Sequence, residues 1–171
     1  ADVGMMGGSK SEEYMAFSPN GEDVLLICSH GDYAANREVA TFQRDPLPAE
    51  DALPTEEVET PNATTIQALA EFLGIPVSRT AKAVFFMAGS GRFIFAVIRG
   101  DLEINETKLR NALKEAEIVP ATAEQIRAIG AEPGYGSPVG VHDAWVIVDE
   151  SVASSPNLVA GANKVGWHLK N

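Results

Sequence analysis

The chain has 171 residues, one cysteine and a net charge of −11, from 24 Asp and Glu against 13 Lys and Arg. That length suits one ordinary domain with a single core and an appendage, and a lone Cys28 excludes an internal disulfide framework and fits a reducing compartment. No apolar run approaches the ~20 residues of a membrane span, and the start, ADVGMMGGSKSEE, lacks the basic and then apolar pattern of a signal peptide. The acidity is unevenly spread. Residues 1–61 hold 13 acidic residues against Lys10, Arg37 and Arg44, whereas residues 62–171 hold 11 acidic and 10 basic residues. The acidic third argues against a long duplex lying across a basic face, while the balanced remainder can still accept a short polyanion end.

In chain order, EEYMAFS and DVLLICS read as short β-like runs, with PNGE between them as a hairpin signal. Cys28, inside the apolar VLLICS, reads as a buried and inert structural thiol. The Pro-rich, acidic RDPLPAEDALPTEEVETPNA reads as an exposed linker of extended chain. TTIQALAEFLG predicts a helix with Thr64 or Thr65 as N-cap, an apolar face of Ile66, Leu69, Ala70, Phe72 and Leu73, and a stop at Gly74. AKAVFFMA and RFIFAVIRG read as strands around a Gly-Ser-Gly turn, the second apolar enough to be buried on both faces. INETKLRNALKEA predicts an amphipathic helix capped by Asn105, with basic residues on its outer face. TAEQIRAIG predicts a short capped helix ending at Gly130, and VHDAWVIVDES a further strand. Helices and strands in this irregular order make residues 62–171 a compact α/β domain with a mixed sheet.

One loop stands out. PGYGSPV places glycines at 134 and 136, which permit positive φ and close backbone approach, ahead of a stiff Pro138. It is either a plain turn or a nest of N–H groups for an oxyanion or carboxylate. Lys82 opens an apolar strand, where a lysine is either a rim charge or a functional cation. Asp149 ends a strand and His168 follows a Gly-Ala-Asn turn; each also reads as an ordinary hydrogen-bonded surface residue. His30, His142 and His168 have no His-x-Glu or Cys-x-x-Cys companions, so neither a metal nor a cofactor is expected. There is no phosphate-binding Gly-Lys-Ser/Thr loop and no Gly-x-Ser-x-Gly elbow.

Two stretches carry a resemblance. GMMGGSKSEEYMAFSPNGEDVLLICSHGDYAANREVA resembles the segment after motif two in bacterial-type prolyl-tRNA synthetases, with Tyr14 a mild departure at the aromatic position. Residues beyond the linker resemble that family's inserted editing domain, related to free-standing YbaK-type deacylases. The matching elements are TTIQALAEFLGI, the Thr-Ala-Lys around Lys82, INETKL, the Gly134–Pro138 loop, Asp149, and the GAN…GWH run with His168. The resemblance implies a YbaK-like mixed sheet or barrel surrounded by helices, with an N-terminal antiparallel hairpin from the synthetase core. It divides the chain into a fragment of class II catalytic core (1–45), a linker (46–61) and an editing domain (62–171). Motifs two and three and an anticodon-binding domain are absent from these residues. The chain is therefore expected to be an excised editing insertion with a flanking core fragment, unable to activate proline.

The resemblance also implies an activity. A pocket shaped for proline cannot strongly reject smaller alanine, because a missing methylene is worth only ~1–3 kcal/mol. A second site must then hydrolyse mischarged Ala-tRNA(Pro), with no side chain as covalent nucleophile and with the terminal ribose 2′-hydroxyl assisting. Gly134, Gly136, Ser137 and Pro138 are expected to hold the oxyanion, with Lys82 on the terminal phosphate or ester. Ile66, Leu69 and His168 are expected to line the amino-acid pocket, with Asp149 as a nearby acceptor. The implied partners are the 3′ end of tRNA(Pro) and the rest of a cytoplasmic, homodimeric parent synthetase, with no membrane. A free-standing deacylase acting on Cys- or Ala-charged tRNA, a non-catalytic module for tRNA ends or a protein partner, and a structural insertion are the alternatives.

Overall fold

The computed structural model describes residues 16–41 and 47–171. The chain divides into two compact units, Ala1–Gln43 and Arg44–Asn171. In the first, strand β1 (Leu25–Ile27) pairs antiparallel with β2 (Ala34–Asn36), and the Cys28 N–H donates to the Tyr33 carbonyl across the turn at 2.9 Å. The hairpin expected around PNGE falls partly outside the described residues. Residues 16–18 are not in a strand, and Leu25–Ile27 of DVLLICS pairs with Ala34–Asn36. Cys28 is exposed, contrary to expectation. Among the described residues its two-stranded ribbon has no second layer over it, and Val24 and Ile27 are exposed beside it.

The second unit holds the larger sheets. Strands β4 (Ala81–Ala88) and β5 (Phe93–Arg99) form the antiparallel centre of a four-stranded sheet of order β6-β4-β5-β7. Strand β6 (Ile118–Pro120) pairs antiparallel with β4, and β7 (Ala144–Val148) parallel with β5. Every residue of β5 is buried, as its unbroken apolar run predicts. Its two faces serve different clusters. Phe93, Phe95 and Val97 pack with Ile126 and Ile129, while Ile94 and Ala96 pack with Phe86, Leu109 and Leu113. Each fully buried side chain of this size stabilises the fold by ~1.5–3 kcal/mol.

The helices begin where their caps place them. Helix α1 (Ile66–Leu73) is capped by the Thr65 side chain, which accepts the Ala68 N–H, and stops at Gly74 with φ 65°. Leu69 and Ala70 are buried, but Phe72 is 53 % exposed because it lies on the flank of that face. Asn105 caps α2 (Glu106–Leu113), and Thr122 forms a capping box on α3 (Ala123–Ala128).

The expected linker needs correction at its C-terminal half. Glu56–Glu59 is strand β3, antiparallel to β9 (Trp167–Lys170), which also pairs with the short β8 (Ala160–Gly161). Lys170 bonds Glu56 at 3.0 Å across this pair. Upstream, Asn157 donates to Glu50 and accepts from the Leu53 N–H, and Arg79 pairs with Glu50. Polarity misled the reading: β3 is held by main-chain bonds and its glutamates face water. Among the described residues no helix is long and apolar enough to cross a membrane.

Candidate active site

A pocket of about 190 Å³ opens between the start of α1, the first half of β4, the 134–136 loop, Gly161 and His168. Among the described residues no Asp or Glu lines it, and Lys82 does. The Thr64 and Ala68 N–H groups are bonded to Asn62 and to the Thr65 side chain, and the N-terminal end of α1 adds positive potential at this side of the pocket. The pocket therefore suits an anion or a group developing negative charge.

The glycine loop runs between α3 and β7. Gly134 has φ 81°, a conformation few side chains tolerate. Gly136 has no positive φ; a Cβ there would lie 2.5 Å from the Phe85 ring and 3.2 Å from the Ala83 Cβ, so a larger residue would displace Phe85. The loop is closed by a residue far along the chain. Asn163 accepts the Ser137 N–H through Oδ1 at 2.7 Å and donates through Nδ2 to the carbonyls of Ser137 and Val139, both at 2.9 Å. Its own N–H donates to the Tyr135 carbonyl at 2.8 Å. The Tyr135 N–H donates to the Glu132 carbonyl, and Pro138 has no N–H. Among the described residues this leaves the N–H groups of Gly134 and Gly136 without a partner, and both residues line the pocket. The nest expected over residues 134–138 is thus a pair of donors. Ser137 is 1 % exposed and buttresses the loop, its hydroxyl accepting from the Val139 N–H.

Lys82 reaches across to Glu103 at 2.6 Å. Glu103 is 89 % exposed, so this pair is weakly held and contributes at most ~1 kcal/mol. His168 is 4 % exposed. Its Nδ1 lies 2.6 Å from the Thr60 hydroxyl, and its ring sits 5.5 Å from that of Tyr135. Burial pushes its pKa below the ordinary 6.5, so the imidazole is neutral at neutral pH. Ile66 and Leu69 join it in the lining, as expected. Asp149 does not line the pocket. Its carboxylate caps α4 (Glu150–Ala153), accepting the Ser151 N–H at 2.9 Å.

Sequence reasoning missed Thr60, Gly161 and the clamp role of Asn163. The Gly-Ala-Asn turn was a usable signal for Asn163. Thr60 had none, lying in what reads as linker. Gly161 meets the loop so closely that a Cβ would come 2.0 Å from the Tyr135 carbonyl oxygen. Among the described residues no group of three or more His, Cys, Asp or Glu is arranged to hold a metal ion.

Two free main-chain donors, a cation and a neutral buried imidazole around a small pocket define a site able to bind a carbonyl and stabilise its oxyanion. Residues 60–171 match the family model of the aminoacyl-tRNA editing domain, and the chain belongs to that family. It is 52 % identical, over its full length, to a proline–tRNA ligase of Salinispora tropica and 40 % identical to that of Bacillus subtilis. It spans 30 % and 31 % of those two proteins. A solved structure of a proposed trans-editing enzyme for prolyl tRNA synthetase shares the fold. Its TM-score is 0.61 at 21 % identity, over 68 % of this chain and 75 % of that one.

Proposed function

We propose that this chain is the editing insertion of a proline–tRNA ligase and hydrolyses the ester of mischarged Ala-tRNA(Pro), sparing Pro-tRNA(Pro). The observation that carries this reading is the pair of unpartnered N–H groups at Gly134 and Gly136 on a pocket without carboxylates. Such donors, fixed before reaction, lower the barrier to a tetrahedral oxyanion by ~2.7–4 kcal/mol each. The ester carbonyl sits on them, and attack on its carbon moves charge onto the oxygen they hold. The terminal ribose 2′-hydroxyl assists water, and Lys82 leaves Glu103 for the terminal phosphate. His168, Ile66 and Leu69 wall the side-chain space, admitting a methyl group and excluding a pyrrolidine ring. Residues 1–45 belong, on this reading, to the ligase's catalytic core, and the rest of that enzyme supplies most tRNA contacts in the cytoplasm.

Single-turnover hydrolysis of Ala-tRNA(Pro) and Pro-tRNA(Pro) by the chain and by Lys82→Ala tests the proposal. Ala-tRNA(Pro) should be cleaved well above its spontaneous rate, Pro-tRNA(Pro) should not, and Lys82→Ala should lose most of the activity. Cleavage of Cys-charged tRNA in preference would favour the free-standing deacylase alternative. No cleavage of any charged tRNA, with binding retained, would make this a non-catalytic module.

A further inference from the structure

Ala83 lines the pocket on a stretch of β4 that has no paired strand on one side among the described residues. Along β4, the hydrogen bonds to β5 fall on alternate residues: the Gly100 N–H donates to the Thr80 carbonyl and the Ala88 N–H to the Arg92 carbonyl. Residues 82, 84 and 86 follow that parity, so 81, 83, 85 and 87 turn their polar groups to the other edge. Three of those four are paired there. The Ala81 N–H donates to Val159, the Phe85 carbonyl accepts from Ala121, and Met87 lies opposite Val119 in β6. Val97, across from Ala83, spends its carbonyl on the Asp149 N–H beside β7. Ala83 therefore turns its N–H and C=O to the gap between β6 and the Val159 segment, where β4 has no ladder partner among the described residues.

The pocket lies at that gap. Ala81, Ala83 and Phe85 point to one face of the sheet, and Lys82 to the other, yet all four line the same pocket. A pocket at the edge of β4 accounts for lining residues from both faces. An open main-chain edge in a partly enclosed site is costly unless a ligand pairs with it.

An aminoacyl ester also brings an α-amino group, which needs an acceptor. Its α-amino group is a donor, whereas Lys82, the start of α1 and the two loop N–H groups all offer positive potential or donors, and no carboxylate is present. We propose that the Ala83 carbonyl accepts the substrate's α-amino group, so that the pocket recognises an α-amino acid ester as well as the size of its side chain. This inference rests on the deacylase reading above and assigns a further contact of the same site.

The test uses two non-hydrolysable adenosines that differ by one group: 3′-alanylamino-3′-deoxyadenosine and its isobutyrylamino counterpart, in which a methyl replaces the amine. Each is titrated into the ¹³C,¹⁵N-labelled chain and into His168→Leu. The alanyl compound should bind about tenfold tighter or more and shift the Ala83 carbonyl ¹³C resonance, and the isobutyryl compound should leave that resonance in place. The same preference should persist in His168→Leu. If the Gly134 and Gly136 amides respond to both compounds while the Ala83 carbonyl does not, the Ala83 contact is wrong and the deacylase reading stands. A preference lost in His168→Leu would make the imidazole the acceptor and also overturn the proposal. No response at the loop or at Ala83, together with no hydrolysis of Ala-tRNA(Pro), would overturn both readings.

Discussion

The side-chain oxygen of Asn163 accepts the Ser137 N–H at 2.7 Å, across 26 residues of sequence. This one bond removes a donor from the glycine loop and orients the neighbours that stay free. Asn163 itself has φ 53°, which asparagine tolerates better than most residues. Asn163→Gly keeps that backbone and deletes three side-chain hydrogen bonds, each with a net worth of ~1 kcal/mol. The expected result is a loss of ~1–3 kcal/mol in stability and slower hydrolysis of Ala-tRNA(Pro) with little change in binding. Thermal melts and single-turnover rates at saturating enzyme measure the two effects. A destabilised variant of unchanged rate would show that the clamp only holds the fold.

On the proposed reading, Glu103 competes with the substrate for Lys82. Because the pair is exposed on the Glu103 side, breaking it should cost little stability. Glu103→Gln should therefore lower the apparent Kd for an aminoacyl-tRNA by about 1.4- to fivefold at low salt, given a pair worth ~0.2–1 kcal/mol. Lys82→Ala should raise it, and the gain in Glu103→Gln should vanish when both changes are combined. Filter-binding titrations at two salt concentrations read the difference. Additive effects in the double variant would contradict a shared contact.

His168 decides size on the proposed reading. Cutting it back to alanine opens the wall while Gly134 and Gly136 stay in place. His168→Ala should cleave Pro-tRNA(Pro) measurably faster than the parent chain, recovering part of a discrimination of ~10–200-fold. Gly134→Val, which cannot hold φ 81° without strain, should slow both substrates alike. Parallel losses on both substrates in the two variants would place His168 in the reacting machinery.

The same histidine predicts a pH dependence of stability. Burial lowers its folded pKa below the ordinary 6.5. Below pH ~6.5 the unfolded chain therefore binds a proton that the folded chain does not. His168 thus destabilises the fold progressively as pH falls from about 7 toward the folded pKa, and above that window it makes no such contribution. Denaturant midpoints between pH 5 and pH 8 should show a smaller acid-side decline in His168→Gln than in the parent chain. Identical declines would mean that His168 is not the group responsible.

Much of this architecture was legible in the residues alone. The run from Phe93 to Ile98 is apolar on every position, so it had to be a strand covered on both faces. Thr65, Asn105 and Thr122 announce their helices because a side-chain oxygen at the N-cap meets an N–H within three residues, which is a local interaction. Lys82, Gly134, Gly136 and His168 were found through motif order, and all four line one pocket. What tertiary structure decided were the non-local polar bonds. Glu56–Glu59 looks like linker until β9 offers its edge, since main-chain pairing leaves no trace in side-chain polarity. Asp149 was free to face a substrate until α4 began after it and claimed its carboxylate. The number of loop donors depended on Asn163, and the open edge at Ala83 on where β6 stops. A hydrogen-bonding group is committed by whichever partner the fold brings within about 3 Å, and sequence spacing does not contain that distance.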